Sequence, residues 1–469
     1  MPDNKQNKKN TIFYAVIFGA QLFLNIATFR LATQADAVIL SAEKQEEAYY
    51  FYQLLFVLGL LTFPLLCRVI SGDREKRILS VTLMLFYALS VTTTFVYPAA
   101  AHAFVSTVMF LCVGHMCARF YWLVSMAMGR GGRLGLALGA GSAGAYLLQY
   151  VFQMWKSALL PLAAVMLICF ALLASTVRRM DPIKPAEAEE TKNEPAVPTK
   201  ALICACVVTA AIITLNCFYN GYIQQLQVRS GFVDYNAYTW PRLLLVPGCL
   251  AFGLLADVKE GKYLPISVLC TVLVTLLNPI LPFSEGTYWL NMCLFYLAVA
   301  AAISYYNLTF CALAPRTRHP ELWAGMGRAL DGSLVTVLGL LGFSEASVSV
   351  VLGTDIAMLA TIIAAMAMNG DLSLTALPAE PHVSPVSPSL PDDDVLLARF
   401  SAAYGLTPRE TDVVHALLTS GGDQQRIAEK LNIRVSTLQH HTTSIYRKTG
   451  AENRADLGRL YRESIVDGM

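Results

Sequence analysis

The chain has 469 residues, of which 55% are hydrophobic and only 14% are charged, and its mean hydropathy is +0.50. Soluble domains carry about 25% charged residues, so this composition excludes a protein that is water-soluble over its whole length. The net charge of +2 does not indicate a partner by itself; the distribution of charge along the chain is more informative.

Apolar stretches recur from the start of the chain to residue 368. A bilayer core of about 30 Å is crossed by a helix of about 20 apolar residues, and twelve stretches meet this length. They form two groups of six, which predicts an all-α, twelve-helix (6+6) transmembrane bundle. The predicted spans are 11–29, 49–70, 78–97, 100–122, 134–154, 158–177, 201–219, 241–256, 263–282, 288–311, 323–342 and 347–368.

Changes of composition divide the chain into five segments. Residues 1–177 and 201–368 are the two membrane halves, and the polar stretch 178–200, rich in Pro, Glu and Lys, joins them as a cytoplasmic loop. Residues 369–398 are rich in Pro and Ser and predict an extended linker. Residues 399–469 are long enough for one small domain.

Lysine and arginine are concentrated in alternate connections between the spans, including Lys8, Lys9, Arg74 and Lys76. Because cytoplasmic loops carry the excess of basic residues, both termini are predicted to be cytoplasmic. The external connections are expected to be long at 30–48 and 220–240.

A short charged motif follows the second span of each half: Gly72-Asp-Arg-Glu-Lys-Arg77 and Gly253-x-x-x-Asp257-Val-Lys-Glu-Gly-Lys262. These residues resemble the motif Gly-x-x-x-Asp-Arg-x-Gly-Arg/Lys of the major facilitator superfamily. The first copy departs from it at Val69 and Lys76, and the second has one extra residue. The resemblance implies two parallel six-helix halves.

The tail has the pattern of a helix-turn-helix domain. Thr407-Pro408 is a helix start, because threonine caps free N–H groups and proline suits the first turn. A second helix places Ile427, Ala428 and Leu431 inward, and a turn at Asn432-Ile433 leads to a third helix over 435–449. Two helices with a tight turn are typical of DNA-binding motifs.

Five short motifs in the tail resemble the LuxR-type (GerE-like) DNA-binding domain, a small four-helix domain. They are Leu406-Thr-Pro-Arg-Glu410, Ile427-Ala-Glu-Lys-Leu431, Thr437-Leu-Gln-His-His441, Arg447-Lys-Thr-Gly450 and Asn453-Arg454. The match has no gaps. Membrane regulators with such a tail are a known bacterial arrangement, so the resemblance implies a multi-pass protein of the bacterial cytoplasmic (inner) membrane.

The resemblance also implies roles for individual residues on double-stranded DNA. The base-reading positions fall on Gln439, His440 and Thr443. The last helix is the usual dimer surface of the family, so a dimer is expected on DNA. Phosphate contacts are implied for Arg434, Thr437, Arg447, Lys448 and Arg454.

Two positions depart from the family pattern. Gln439 stands where a lysine is common, and glutamine can read adenine through two hydrogen bonds. Arg434 stands where a capping serine is common, so Ser436 is expected to cap the third helix instead. The ten basic and eight acidic residues from Arg399 onward form a weak electrostatic footprint, so dimerisation is expected to supply part of the affinity.

Ionisable residues inside membrane spans are costly and are often functional. Arg119 and Arg328 lie near predicted cytoplasmic ends, where snorkelling to the interface accounts for them, and Arg328 and Asp331 can neutralise each other. His115 is more simply a buried, hydrogen-bonded histidine. Asp355 lies deepest and is a candidate ligand or proton site. The candidate sensor residues are therefore Asp355, Asp331, Arg328 and His115.

These observations predict a membrane-bound one-component transcription regulator whose bundle senses a small molecule or the state of the membrane. A secondary transporter with a regulatory tail, and a bundle that is merely an anchor, are the alternatives. The sequence has no catalytic arrangement, nucleotide motif or metal-ligand cluster, so neither an enzyme nor a cofactor is expected.

Overall fold

The computed structural model contains two compact units, residues 1–380 and 381–469. It describes residues 3–67, 69–70, 72–93, 98–129, 133–155, 159–179, 197–230, 239–258, 263–277, 284–342, 347–368, 397, 400–419, 425, 427–428, 431, 433–451, 456–458 and 460–461. The predicted linker and most of the loop at 178–200 therefore lie outside the described residues. Every regular element in the described part is a helix.

In the first unit the described helices fall on either side of the segment 180–196. The first group is α1 (Asp3–Ile39), α2 (Ala42–Cys67), α3 (Asp73–Thr92), α4 (Ala99–Met128), α5 (Leu134–Met154) and α6 (Leu159–Arg179). The second is α7 (Thr199–Ser230), α8 (Leu245–Asp257), α9 (Pro265–Leu277), α10 (Glu285–Leu313), α11 (Met326–Leu340) and α12 (Val348–Met368). A 3₁₀ turn, Trp240–Leu244, precedes α8, and the short helix Pro320–Trp323 precedes α11.

Eight helices of the described chain are long and apolar enough to cross a membrane, by length and composition. Helices suit lipid because they satisfy all their backbone polar groups internally. The first unit is therefore a multi-pass membrane domain. The eight stretches are Lys9–Ile39, Glu43–Cys67, Ala99–Met128, Leu134–Met154, Pro161–Arg179, Thr199–Ile223, Trp240–Asp257 and Thr287–Arg316.

The expected long connection at 30–48 is wrong. Helix α1 continues to Ile39 and α2 starts at Ala42, so only two residues separate the helices. Likewise, α7 extends through Ser230, well past the predicted end at residue 219. The physical reason is that backbone hydrogen bonds can continue a helix beyond its apolar stretch, even where the extension carries a polar side chain such as the buried Asp36. Hydropathy therefore located the apolar stretches but not the helix ends.

Helix packing follows one pattern in both groups. Helix α1 packs against α4, α5 and α6, and α4 packs against α2 and α3. In the second group, α7 packs against α10, α11 and α12, and α10 packs against α8 and α9. The two groups meet mainly through α5 on α8 and α2 on α11.

Glycines permit the close crossing of α5 and α8. A Cβ atom at Gly135 or Gly139 would collide with the backbone of Gly253 or Cys249. Small residues have this role at many membrane helix contacts.

The second unit has its own hydrophobic core. It contains α13 (Pro408–Thr419) and α14 (Val435–Thr449). Helix α14 starts at the predicted residue and ends at Gly450, whose φ of 75° is a left-handed conformation that favours glycine. The core is formed by residues that include Phe400, Val413, Val414, Leu417, Ile427, Ala428, Leu438, Ile445 and Leu457.

Candidate functional site

The start of α13 is fixed by a reciprocal hydrogen-bond pair. The Thr407 hydroxyl lies 3.3 Å from the Glu410 backbone N–H, and the Glu410 carboxylate accepts from the Thr407 backbone N–H at 2.7 Å. This is a capping box, which satisfies two N–H groups that a helix start otherwise leaves unpaired. The predicted helix start at Thr407-Pro408 is confirmed.

The turn before α14 is held by backbone hydrogen bonds. The Ile433 N–H donates to the Ala428 carbonyl at 2.9 Å, and the Leu431 N–H donates to the Ile427 carbonyl at 3.1 Å. The Arg409 guanidinium donates to the Leu431 carbonyl at 2.9 Å, which ties α13 to the same turn. These bonds and the buried Ile427 and Ala428 orient α14 against the core.

The two sides of α14 have different chemistry. Leu438, Ile445 and Thr449 are buried, whereas the base-reading candidates are exposed. Side chains at i, i+1 and i+4 share one side of a helix. The helix therefore presents hydroxyl, amide and imidazole groups to solvent, and these groups can hydrogen-bond to base edges in the major groove. The exposed candidates are Gln439, His440 and Thr443.

Three phosphate candidates are exposed: Arg434, Thr437 and Arg447. Neither arginine forms an ion pair within the described part of the chain. Exposed arginines beside a helix that enters the major groove can bind phosphate oxygens, and such contacts position a domain without reading sequence. Arg454 lies outside the described residues.

Lys448 differs from these candidates because it has intramolecular partners. Its ammonium donates to the Glu410 carboxylate at 2.7 Å and to the Gly405 carbonyl at 3.0 Å. Ser444, on the preceding turn of α14, donates to the same carboxylate at 2.7 Å. Glu410 therefore joins two turns of α14 to the first turn of α13. A phosphate contact by Lys448 would compete with this pairing.

The Glu410 environment favours the ionised carboxylate. Burial alone raises the pKa of this group, but hydrogen bonds from Lys448, Thr407 and Ser444 outweigh burial and lower its pKa to about 2. A carboxylate that accepts several hydrogen bonds is stabilised in its charged form. At neutral pH, Glu410 is thus a fixed negative anchor for α14.

The expectation that Ser436 caps α14 is wrong. Arg434 occupies the N-cap position with extended backbone angles, and no side chain makes a capping bond. The Arg434 carbonyl instead accepts from the Thr437 and Leu438 N–H groups at 3.0 Å each. Ser436 lies inside the first turn, where its backbone is already helical.

In the membrane unit, Arg328 and Asp331 form the predicted ion pair at 2.6 Å on α11. The Arg328 guanidinium also donates to the Tyr306 hydroxyl at 3.3 Å and lies 5.6 Å from the Phe56 ring centroid. Because Tyr306 is on α10 and Phe56 is on α2, Arg328 points into the bundle. Snorkelling towards the interface is therefore the wrong explanation for this arginine.

Asp355, on α12, is 1% exposed, and neither carboxylate oxygen has a hydrogen-bond partner within the described residues. Val351, one turn earlier on the same helix, packs with Phe218 and Tyr222 of α7. Asp355 thus lies beside an apolar and aromatic cluster. Burial of an ionised carboxylate without a partner is costly, so this group requires a proton or a cation.

Arg119 also departs from its predicted setting. It is 1% exposed and donates from Nε to the Glu75 carboxylate at 2.6 Å, while its guanidinium lies 4.6 Å from the Trp122 ring centroid. An interior ion pair, not snorkelling, accounts for this arginine. His115 is buried and lies 2.8 Å from the Thr62 hydroxyl, so the prediction of a buried, hydrogen-bonded histidine is confirmed.

Asp257, the aspartate of the second charged motif, belongs to the second helix group but caps the start of α5 in the first group. The Asp257 carboxylate, at the end of α8, accepts from the Gly135 and Leu136 backbone N–H groups at 2.6 and 2.8 Å. Both donors are in the first turn of α5. A carboxylate at a helix N-terminus satisfies unpaired N–H groups and complements the helix dipole. This bond links the two helix groups.

One polar cluster was missed by the sequence analysis. Asp36 of α1, Tyr52 of α2 and His102 of α4 are each no more than 3% exposed, and both Tyr52 Oη and His102 Nε2 lie 3.0 Å from Asp36 Oδ1. Asp36 was assigned to an external loop, and its partners follow 16 and 66 residues later. The signal that the sequence offered for this cluster was Asp36, an acidic residue in the stretch by which α1 continues beyond the first predicted span.

In the described part of the chain, no group of three or more His, Cys, Asp or Glu side chains is placed to bind a metal ion. The cysteines, which include Cys117, Cys249 and Cys311, are free thiols.

Comparison with known proteins agrees with the geometry of the tail. Residues 405–461 match the family of bacterial regulatory proteins, luxR family (GerE). This match covers the tail only. The search of the curated proteins found no match to this chain. The second unit is thus a LuxR-type helix-turn-helix domain, a class of DNA-binding regulatory domain, attached to a multi-pass membrane domain.

Proposed function

We propose that this protein is a membrane-bound one-component transcription regulator that binds specific DNA sequences through α14. The observation that carries the proposal is the exposed outer side of α14 within a LuxR-type domain. Gln439, His440 and Thr443 read bases, and Arg434, Thr437, Arg447 and Arg454 bind phosphates. Dimerisation through the last helix, as is typical of the family, doubles the interface. The non-enzymatic chemistry of this domain fits regulation, not catalysis.

DNA binding is tested by selecting sequences from a random duplex library with the full-length protein in lipid nanodiscs. Direct base contacts contribute about 1–3 kcal/mol of discrimination each. Gln439→Ala should relax the selected sequence at one position of each half-site, whereas Arg447→Ala should weaken binding to all sequences similarly. Selection of no common sequence by the wild-type protein would contradict the proposal.

The proposed orientation places both termini in the cytoplasm of a bacterial cell, with the bundle in the inner membrane. Basic residues support it: Arg178 and Arg179 occupy the last turn of α6, and Arg74, Lys76 and Arg77 lie in the first turns of α3. With the helices crossing the membrane in alternate directions, these positions lie on the same side of the membrane as the N-terminus. The orientation also gives the tail access to DNA.

The twelve helices are proposed to be two parallel six-helix repeats of the major facilitator type. Most packing pairs in the first group have a counterpart six helices later, such as α1 with α6 and α7 with α12. The contacts between the two groups fit the same correspondence. Shifting α2 by six helices gives α8, and shifting α11 back by six gives α5, so the α2–α11 contact corresponds to the α8–α5 contact. A two-fold axis between the repeats would produce this pattern.

The bundle is proposed to be the sensor of a small molecule, with Arg328, Asp331 and Asp355 as its polar contacts and His115 as a supporting residue. The Arg328–Asp331 pair contacts α2 and α10, so a ligand that separates the pair would act on both helix groups. A ligand shifts a conformational equilibrium only if it binds the two states differently. Asp331→Asn should therefore alter the response to the ligand and leave DNA binding by the tail intact.

A second function, secondary transport with a regulatory tail, is favoured by the Asp257 cap on α5, which links the two helix groups by hydrogen bonds. Uptake by membrane vesicles that persists without residues 370–469 and is lost in Asp355→Asn would support transport. Regulation that survives replacement of the bundle by an unrelated membrane helix would instead show that the bundle is an anchor.

A further inference from the structure

The end of α1, the start of α4 and the interior of α2 enclose a cluster of ionisable groups that is separate from Arg328 and Asp331. The Tyr52 hydroxyl donates to Asp36 Oδ1 at 3.0 Å, and His102 Nε2 lies 3.0 Å from the same oxygen. Ser106, one turn after His102, lies 3.4 Å from Nε2. The three ionisable side chains are 1–3% exposed. The cluster is therefore nearly isolated from solvent and joins three helices.

The charge of this cluster depends on a single proton. Within the described residues, no lysine or arginine pairs with Asp36; its polar contacts are His102 and Tyr52. If Asp36 and His102 share one proton, the pair has no net charge, either as carboxylate and imidazolium or as carboxylic acid and imidazole. Loss of the proton leaves one negative charge in a site that is nearly isolated from solvent, which is unfavourable.

Two atoms of the pair are positioned to exchange this proton. Asp36 Oδ2 and His102 Nδ1 have no hydrogen-bond partner within the described residues. In each neutral form, one N–H or O–H group on these atoms lacks an acceptor. A proton without a protein acceptor leaves more readily than one held in the Nε2–Oδ1 contact, provided that water can reach it. Opening of the helix ends supplies that water.

We propose that Asp36 and His102 form a proton-binding site whose occupancy holds the end of α1 and the start of α4 together against α2. Asp36 lies one turn before the end of α1, at the side opposite to the N-terminus. In the orientation proposed above, this side faces the cell exterior, so external proton activity is one signal that the bundle can read. Only this last step, from proton binding to transcription, rests on the proposed function.

The test is hydrogen–deuterium exchange of the full-length protein in lipid nanodiscs, without DNA, between about pH 5.5 and 8.5 and corrected for intrinsic exchange. In the wild-type protein, peptides covering 31–41 and 99–106 should exchange about tenfold faster or more at the alkaline end, because the buried charge is unfavourable. Peptides from α10 serve as an internal reference. Absence of this local pH trend in the wild-type protein overturns the proposal.

Variants separate a proton site from a purely structural contact. In Asp36→Asn the only charge that the cluster can carry is the His102 imidazolium, which forms at low pH. Exchange should therefore be faster at the acidic end, the reverse of the wild-type trend. In His102→Gln the Asp36 carboxylate remains, so exchange should still be faster at the alkaline end, as in the wild type. Tyr52→Phe is the matched control: it removes a hydrogen bond to Asp36 but should keep the same pH trend. Equal pH trends in the wild type and Asp36→Asn would overturn the proposal. Because DNA is absent, failure of DNA binding would not affect this result.

Discussion

The Lys448 ammonium lies 2.7 Å from the Glu410 carboxylate, so the last turn of α14 is bonded to the first turn of α13. Glu410 also completes the capping box with Thr407. One carboxylate thus starts α13 and fixes the position of α14. The orientation of the proposed DNA-reading side depends on this residue although it lies inside the domain.

Lys448 and Arg447 are adjacent basic residues with different expected roles. Lys448→Met should lower the free energy of unfolding of the second unit by about 1–3 kcal/mol, because it removes hydrogen bonds to a charged group that is nearly buried. Arg447→Met should leave stability almost unchanged and reduce the salt dependence of DNA binding by about one phosphate contact. Thermal unfolding measures the stability of each variant, and salt-dependent titrations measure its DNA binding. If the two variants changed stability and salt dependence equally, the two residues would not have the different roles assigned to them.

Acid should destabilise the second unit through Glu410. Its pKa is lowered from 4.5 to about 2, so the folded state favours the ionised form more than the unfolded state does. The stabilisation is present above about pH 4.5 and is lost as the pH falls towards 2. Unfolding measured across this range should show a smaller acid-induced loss in Glu410→Gln than in the wild type. An unchanged pH profile would contradict the assignment.

The buried pair of Arg119 and Glu75 should be more sensitive to removal of one partner than of both. Glu75→Gln leaves the Arg119 charge without a counter-ion and should cost about 3–5 kcal/mol. The double variant Glu75→Gln/Arg119→Met should recover much of that loss. Thermal denaturation in detergent gives the comparison. Additive losses in the double variant would show that the two side chains do not act as a pair.

Two glycines of α5 provide a matched test of the crossing with α8. A Cβ atom at Gly139 would meet the Cys249 carbonyl oxygen at 2.6 Å, whereas at Gly144 nothing lies within 4 Å. Gly139→Ala should therefore destabilise the bundle by about 1–3 kcal/mol, as overpacking does, and Gly144→Ala should be tolerated. Folded yield in membranes measures both. Equal yields would argue against a close α5–α8 crossing.

Local patterns predicted the tail better than the bundle. Thr407-Pro408 is a sequence signal for a helix start, and Ile427 and Ala428, which the pattern places inward, are buried. The partners of Lys448 and Arg119 were not predictable in this way, because Glu410 and Glu75 lie 38 and 44 residues away in the sequence. Pairing between distant helices depends on packing, which hydropathy does not specify.

The same limit explains Asp36, His102 and Asp257. Each lies at or near a helix end, where an ionisable residue is usually assigned to a solvated loop. Only the extension of α1 to Ile39 and the approach of α8 to α5 place these residues in contacts with other helices. Composition and apolar length therefore predicted a helical membrane domain, while its buried polar contacts required the structure.

The central claim, that this is a membrane-tethered regulator, is tested most directly by a genome-wide map of the DNA bound by the full-length protein in its own membrane. The matched variant is Gln439→Ala/His440→Ala/Thr443→Ala, which changes exposed residues and leaves the core of the tail intact. The account predicts discrete sites for the wild-type protein that disappear in the variant. An identical map for both proteins, or no sites under several growth conditions, would contradict it.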